Sequence, residues 1–168
     1  DPVPAIVYQQ RSPNSTWEPS KLDVSAGGQY SAGEEMEDGL REAKEELGKL
    51  YTKSDLTYLG KRLNVSPDSR GLIRYNVIDI FITTDNSPIE SYELEKNEVS
   101  AITVCPLDKL INLHFNNEPF NVTAFNNDKE KFELPVTGTS FPINWDNYHL
   151  KMALISKRYL GGETNLIY

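Results

Sequence analysis

The sequence is poor in the residues that form disulfide bonds or bind soft metals. Only one of its 168 residues is cysteine and two are histidine, which excludes an internal disulfide. His114 and His149 are too far apart in sequence to match a zinc-binding spacing. A lone cysteine, Cys105, fits a reducing compartment and predicts a cytoplasmic location. No run approaches the ~18 apolar residues of a membrane span, so we expect no membrane association.

Basic side chains are also scarce. The chain has 17 Lys and Arg residues against 25 Asp and Glu residues, for a formal net charge of −8. This balance argues against nucleic acid as a partner, because the phosphate backbone demands a basic surface. A hydrophobic share of 38% and a charged share of 25% are typical of a soluble globular protein. The length predicts one domain over residues 1–168.

The most informative segment joins a glycine turn to an acidic helix. The turn is Gly27-Gly28, and the pattern after it predicts a helix over Glu34–Leu47. Glu42, Glu45 and Glu46 are spaced by three or four residues or are adjacent, so they share one side of that helix. Clustered carboxylates repel each other, and such oxygen-rich groups are how proteins hold hard cations. The spacing therefore predicts a divalent metal site.

The same segment resembles the Nudix box. The matching positions are Gly28, Glu34, Arg41, Glu42, Ala43, Glu45, Glu46 and Gly48. Six residues instead of seven separate Glu34 from Arg41, and Lys49 stands where an aliphatic residue is expected. The shorter gap is similar to the branch of the family that includes type 1 isopentenyl-diphosphate isomerases, as is the run Leu22–Ala26 before the box.

The resemblance implies an α/β fold: an α/β/α sandwich with a mixed sheet and a C-terminal helix. It also implies a hydrolase that uses Mg²⁺ or Mn²⁺ to cleave a diphosphate linkage in a nucleoside diphosphate derivative or similar small molecule. The family pattern makes Glu45 and Glu46 metal ligands, and Glu42 a ligand or proton acceptor. A backbone carbonyl at Gly28 and the carboxylate of Glu34 are further expected ligands. We expect Glu42 and Glu45 to take part in catalysis.

Residues outside the box complete the predicted site. Many Nudix enzymes add a carboxylate from a later loop as a base or extra ligand, and Glu98 is the best-placed candidate, with Glu93 and Glu95 as alternatives. Arginine side chains recognise phosphate because a guanidinium group matches two oxygens at once. The predicted substrate-binding residues are Arg11, Arg62 and Arg74.

The remaining chain alternates between strand-like and helix-like patterns. Strands are predicted at residues 5–10, 22–26, 56–65, 72–83 and 99–105, and short and long helices at 107–113 and 148–160. The end of the 72–83 segment is so apolar that it predicts a central strand. Residues 114–140 are rich in Asn and Phe without a sustained period, which predicts a long irregular insertion.

Two other functions remain open from the sequence. An isopentenyl-diphosphate isomerase is one, although such isomerases use a cysteine near the loop before the box, where this chain has Ser25-Ala26. A Nudix-like binding module without turnover is the other. Related enzymes are often dimers, so a homodimer is also an expectation. The sequence carries no signature of a particular substrate.

Overall fold

Two antiparallel sheets organise the chain. The structure, a computed structural model, describes residues 3–67, 70–143 and 145–168. A five-stranded sheet has the order β2-β1-β5-β6-β7, and a separate two-stranded sheet contains β3 and β4. The strands are Ala5–Arg11 (β1), Leu22–Asp23 (β2), Thr57–Pro67 (β3), Ile73–Ile82 (β4), Val99–Pro106 (β5), Phe120–Asn126 (β6) and Lys131–Val136 (β7). The helices are Met36–Gly39 (α1), Arg41–Leu47 (α2), Leu107–Asn116 (α3) and Tyr148–Leu160 (α4).

Alternation along β1 shows how the layers are arranged. Successive side chains of a strand point to opposite faces. Tyr8 packs into a core cluster with Leu110 of α3 and Ala153 of α4. Its neighbour Val7 packs instead against the cluster that contains Leu47 of α2. The five-stranded sheet therefore has α2 on one face and α3 and α4 on the other, which confirms the predicted α/β/α sandwich and C-terminal helix.

The sheet itself differs from the expectation of mixed strand directions. Every pairing between strands in the described ranges is antiparallel. Cys105 lies in the middle of this architecture, on β5, with no exposed surface. No helix in the described parts of the chain is both long and apolar enough to cross a membrane.

The predicted helix over Glu34–Leu47 is interrupted. Leu40 separates α1 from α2, and its amide bonds to the carbonyl of Glu37 at 3.2 Å, a tighter spacing than in an α-helix. Gly39 immediately precedes the break and weakens helix formation. A glycine inside a helix predicts close packing, here on the sheet, but the close neighbour of Gly39 is Tyr30: a Cβ there would lie 2.5 Å from the ring of Tyr30. Gly48 ends α2 in the left-handed conformation with φ of 67°, which a glycine adopts without strain.

The prediction of a central strand at residues 72–83 was wrong. β4 pairs with β3 in a two-stranded sheet, and its apolar residues are used differently along its length. The end of β4 near Ile82 is the base of the β3–β4 hairpin. There, Ile80 and its neighbours pack against Met152 and Ile155 of α4. Val77 is 67% exposed. The sequence Ser66-Pro67-Asp68-Ser69 predicts a turn between the two strands, and its residues Asp68 and Ser69 lie outside the described residues.

The prediction of an irregular insertion at residues 114–140 was also wrong. This region contains the end of α3 and the hairpin of β6 and β7. In β6 the inward positions Val122 and Ala124 alternate with the exposed residues Asn121 and Thr123. Asn is depleted in strands, so the Asn-rich composition concealed a two-residue period that buries one face.

Candidate active site around helix α2

Glu46 is the buried centre of the candidate site. Glu46 is only 6% exposed, because α2 packs on the five-stranded sheet through its apolar residues Ala43 and Leu47. The Nε2 of Gln9 and the amide of Gly27 both donate to Glu46 Oε2, at 3.2 and 3.1 Å. Burial raises the pKa of Glu46 to about 7, although both hydrogen bonds oppose that shift.

The glycine turn lies directly against the acidic helix. A Cβ on Gly28 would lie 2.1 Å from Cδ of Glu42 and 2.3 Å from its Oε1. Only a residue without a side chain allows the backbone to approach the carboxylate this closely. The glycine turn and the acidic helix, which lie at opposite ends of the box pattern, therefore meet in the fold. Gly27 bonds to Glu46 and Gly28 lies against Glu42.

The negative charges of several other carboxylates act on Glu42. Burial is the main factor that raises its pKa, and the negative charges of Glu45, Glu98 and Glu34 add to the effect. The guanidinium of Arg41 opposes the shift, with Nη2 at 3.2 Å from Glu42 Oε1. Glu45 is exposed on the same helix.

Glu98, in the loop before β5, is one of these carboxylates. Its charge raises the pKa of both Glu42 and Glu46. The loop is fixed on the end of α2, because the amide of Glu95 bonds to the carbonyl of Glu46 at 3.0 Å and the amide of Glu93 to the carbonyl of Leu47 at 3.0 Å. The structure therefore brings Glu98 close enough to act on Glu42 and Glu46, and its role as a base or a ligand stays a prediction.

The two alternative loop carboxylates have other surroundings. Glu95 Oε2 accepts hydrogen bonds from the amides of Asn97 and Glu98, at 2.6 and 3.0 Å, so Glu95 shapes the loop that carries Glu98. Glu93 has a largely exposed side chain, 79%, and its Cβ lies beside Gly48 at the end of α2.

Glu34 holds the turn before α1. Its Oε2 accepts from the amide of Ser31 at 2.6 Å, and its Oε1 accepts from Arg41 Nη1 at 2.7 Å. These two hydrogen bonds lower the pKa of Glu34. The predicted metal ligand thus has both carboxylate oxygens bonded within the protein. Arg41 bridges Glu34 and Glu42.

The predicted substrate arginines are not gathered at this site. Arg11 contacts Asp23, Ser15 and the carbonyl of Trp17, and its guanidinium lies 5.0 Å from the Trp17 ring centroid. These contacts fix the segment after β1.

Arg62 forms a paired contact with Asp146, with Nε and Nη2 each 2.9 Å from a carboxylate oxygen. Its guanidinium also lies 4.2 Å from the ring centroid of Tyr148, and its side chain is 11% exposed. Arg62 therefore anchors α4 to the β3–β4 hairpin, which argues against its predicted role in phosphate binding. Arg74 is exposed on β4, opposite Ser66.

Sequence reasoning missed Gln9. A polar residue follows Val7 and Tyr8 in a strand that is otherwise apolar at its centre, and strand alternation places Gln9 on the face of Val7, toward α2. Gln9 is 3% exposed. A buried amide on an apolar face requires a polar partner, and this signal could have pointed to Glu46.

The donor set fits a hard divalent cation. Carboxylate oxygens and a closely approaching backbone are the ligands that Mg²⁺ and Mn²⁺ prefer, and Gly28 leaves the space that such an approach needs. In the described ranges, however, no three Cys, His, Asp or Glu side chains stand close enough together to hold an ion as they are. The contact with Arg41 sets the orientation of the Glu42 carboxylate. The hydrogen bonds from Gln9 and Gly27 set that of Glu46.

Comparison with known proteins agrees with this geometry. Residues 3–125 match the family model of the NUDIX domain, about three quarters of the chain. The chain belongs to the Nudix family. It is 32% identical over 105 residues to an uncharacterised Nudix hydrolase of Clostridium acetobutylicum. That match covers 62% of this chain and 50% of the relative, so the chain spans about half the length of the curated protein it matches.

Cys105 is poorly placed for isomerase chemistry. It packs with Leu110 and Ala153 on the face of the sheet opposite α2, and burial raises the pKa of its thiol to about 12. At the position where the related isomerases carry a cysteine, the hydroxyl of Ser25 donates to the carbonyl of Val7 at 2.7 Å.

Proposed function

We propose that this protein is a hydrolase that cleaves a diphosphate linkage in a nucleoside diphosphate derivative or a similar small molecule. The observation that carries the proposal is the contact of the glycine turn with both Glu42 and Glu46, together with the charge of Glu98 acting on both. Membership of the Nudix family supports the same reaction class. The position of Cys105 argues against the isomerase alternative.

Glu42, Glu45 and Glu46 are the residues that would hold Mg²⁺ or Mn²⁺, with the backbone carbonyl of Gly28 as a further ligand. A bound divalent ion neutralises charge on phosphoryl oxygens and lowers the pKa of water. To act as a ligand, Glu42 would give up its contact with Arg41, and Arg41 would keep its contact with Glu34. Gln9 and Gly27 hold one oxygen of Glu46 and leave the other, Oε1, for coordination.

Glu98 is the proposed proton acceptor. It is exposed, so water reaches it. Its charge acts on the proposed ligands Glu42 and Glu46, although it lies in a loop outside the helix that carries them. Glu95 fixes the backbone on which Glu98 stands, through the 3.0 Å bond to the Glu98 amide. Removing a proton from the attacking water requires a carboxylate that is ionised near neutral pH and held within reach of that water.

Two finer features are part of this proposal. A cytoplasmic location is supported by the free, fully buried thiol of Cys105. A homodimer is supported by the apolar surface of the β3–β4 hairpin. We also propose that residues 1–168 act as one domain, because the hairpin base and α4 share a core cluster.

The test is substitution of Glu45, the most exposed of the three proposed ligands. E45Q should abolish hydrolysis supported by Mg²⁺ or Mn²⁺ and leave the melting temperature nearly unchanged. The assay is a screen of nucleotide sugars, dinucleoside polyphosphates, ADP-ribose, oxidised nucleotides and prenyl diphosphates, read as metal-dependent product formation. E90Q, at an exposed glutamate in the 3₁₀ turn Ile89–Ser91, is the matched control.

Full activity in E45Q would contradict the metal assignment. If the unsubstituted protein cleaved none of these compounds with either ion, the non-catalytic binding module would be the better description.

A further inference from the structure

The turn between β6 and β7 has a lysine at a position that favours glycine. The amide of Lys129 bonds to the carbonyl of Asn126 at 3.0 Å, and the amide of Asn126 bonds to the carbonyl of Glu130 at 3.1 Å. Lys129 has φ of 62°, the left-handed conformation that short hairpin loops commonly fill with glycine. A side chain strains the backbone there, so glycine would suit the turn alone better than lysine does.

The lysine side chain contacts the loop of residues 92–98, which we call the Glu98 loop. Lys129 Nζ donates to the backbone carbonyl of Tyr92, the first residue of that loop. Asn127, in the same turn, donates from Nδ2 to the carbonyl of Val99 at 2.9 Å, immediately after the loop. The β6–β7 turn therefore holds the Glu98 loop at both ends, and Glu98 lies between the two contacts.

Other contacts fix the same loop on the elements around it. The carbonyl of Glu98 accepts from the amide of Ser12 at 2.7 Å, in the segment after β1. The amide of Glu95 bonds to the carbonyl of Glu46 in α2, as described above. The loop thus joins α2, the segment after β1 and the β6–β7 turn. Its position relative to Glu46, a proposed metal ligand, depends on all three.

We propose that Lys129 is a positioning residue for Glu98: its bond to the Tyr92 carbonyl fixes where the Glu98 loop stands relative to Glu46 on α2. This role rests on the proposed function, in which Glu98 accepts the proton of the attacking water. A proton acceptor must lie within reach of that water, and a displacement of about 1 Å at a reacting group can cost about a hundredfold in rate.

The ion pair of Lys129 with Glu93 does not explain the lysine. Its Nζ lies 3.8 Å from Glu93 Oε1, and the Glu93 side chain is 79% exposed. Pairs as open to water as this one contribute little. The bond to Tyr92 differs, because a charged donor strengthens a hydrogen bond and Tyr92 is only 3% exposed. Its hydroxyl is also fixed, since it donates to Asp85 at 2.9 Å.

K129G separates the hold on the loop from the stability of the turn. Glycine relieves the left-handed backbone, so the melting temperature should stay nearly unchanged or rise. The bond to Tyr92 is lost, so kcat on whichever compound of the screen the protein cleaves should fall about 10–100-fold, with KM unchanged. Loss of a merely structural contact would lower stability and leave kcat intact. K129R keeps a charged donor and should recover most of the lost kcat.

N117G is the matched control. Asn117 is exposed and ends α3 with φ of 53°, so glycine relieves the same conformation away from the Glu98 loop, and kcat should not change. Hydrogen–deuterium exchange without substrate tests the hold itself. Peptides covering residues 92–99 should exchange about 2–10-fold faster in K129G, because the loop opens more often. They should exchange at the unsubstituted rate in N117G.

A double-mutant cycle links Lys129 to Glu98. If the lysine acts through Glu98, K129G should have no further effect on kcat in the E98Q background. Unchanged exchange in K129G, faster exchange with unchanged kcat, or the same fold loss of kcat in both backgrounds would each overturn the proposal. Absence of any hydrolysis by the unsubstituted protein would instead refute the proposed function, and the exchange rates would still show whether Lys129 holds the loop.

Discussion

Gln9 and Glu46 form a buried hydrogen bond between the central sheet and the acidic helix, with 3.2 Å between Gln9 Nε2 and Glu46 Oε2. Both side chains are almost fully removed from water. An amide can donate to a carboxylate without adding charge, so Gln9 orients Glu46 while opposing only part of the rise in its pKa that burial causes.

Q9L should weaken metal binding. The leucine removes one of the two donors that hold Glu46 Oε2, and loss of such a supporting group typically lowers metal affinity about 10–100-fold. Calorimetric titration with Mn²⁺ measures this directly, independent of turnover. Q10L is the control, since Gln10 Nε2 bonds to the carbonyl of Ser20 away from the acidic helix. Equal affinities in Q9L and the unsubstituted protein would refute the orienting role.

G28A should abolish metal-dependent hydrolysis. The added methyl group would overlap the carboxylate of Glu42, 2.1 Å from its Cδ, so Glu42 or the turn must move. Gly28 has no positive φ, which makes the effect steric and not conformational. G27A provides the comparison, because its methyl group meets only Val24 Cγ2, at 3.2 Å. Similar activity in both variants would show that the approach to Glu42 is dispensable.

E98Q should lower kcat about 10²–10⁴-fold, the range expected for loss of a general base. The metal affinity should change much less. E93Q should behave like the unsubstituted protein, since Glu93 keeps its Cβ contact with Gly48 while its exposed carboxylate is lost. A lowered metal affinity with unchanged kcat would instead identify Glu98 as a ligand.

R62K should destabilise the fold without raising KM. Lysine cannot reproduce the two parallel bonds from Arg62 to Asp146, and their loss should lower the free energy of unfolding by about 1–3 kcal/mol. Urea denaturation measures the stability, and steady-state kinetics at saturating metal measure KM. A selective rise in KM at unchanged stability would restore the phosphate-binding role predicted from the sequence.

His149 should make the fold sensitive to acid. Burial lowers its pKa to about 3 in the folded protein from an ordinary value of 6.5. The unfolded chain therefore binds a proton between these values that the folded chain excludes, and stability falls as the pH drops from 6.5 toward 3. The limiting slope is about 1.4 kcal/mol per pH unit.

Urea denaturation of the unsubstituted protein and H149Q at several pH values from 7 to 4.5 isolates this contribution. The difference between the two should shrink or reverse in acid, because only the histidine form takes up the extra proton on unfolding. Glu46 acts in the opposite sense, since its pKa of about 7 favours the folded state below that pH. Its effect is present in both proteins and cancels in the difference. Parallel pH profiles would contradict the assignment to His149.

The sequence predicted those parts of the fold that depend on local pattern. α4 has the predicted bounds, and β5 and α3 begin where expected. Gly48 could be placed because a left-handed helix end has a residue preference of its own. Glu42, Glu46 and Glu98 could be found because the family pattern and the loop position both indicate carboxylates.

Other features depend on tertiary contacts that no local pattern contains. The break at Leu40 combines a weak helix former with the packing of Tyr30 on Gly39. Arg62 looked available for phosphate because its partner, Asp146, is 84 residues away along the chain. The apolar end of β4 resembled a central strand, since a strand that packs on a helix of the same chain can have the same composition as one buried within a larger sheet.

Cys105 offers a practical measure of cooperativity. Its thiol is fully buried near the end of β5, and its raised pKa suppresses the reactive thiolate. Alkylating reagents should therefore modify it only when the sheet opens, so the labelling rate measures the free energy of that opening under native conditions. A cysteine introduced on the surface could carry a fluorophore without first removing the native one.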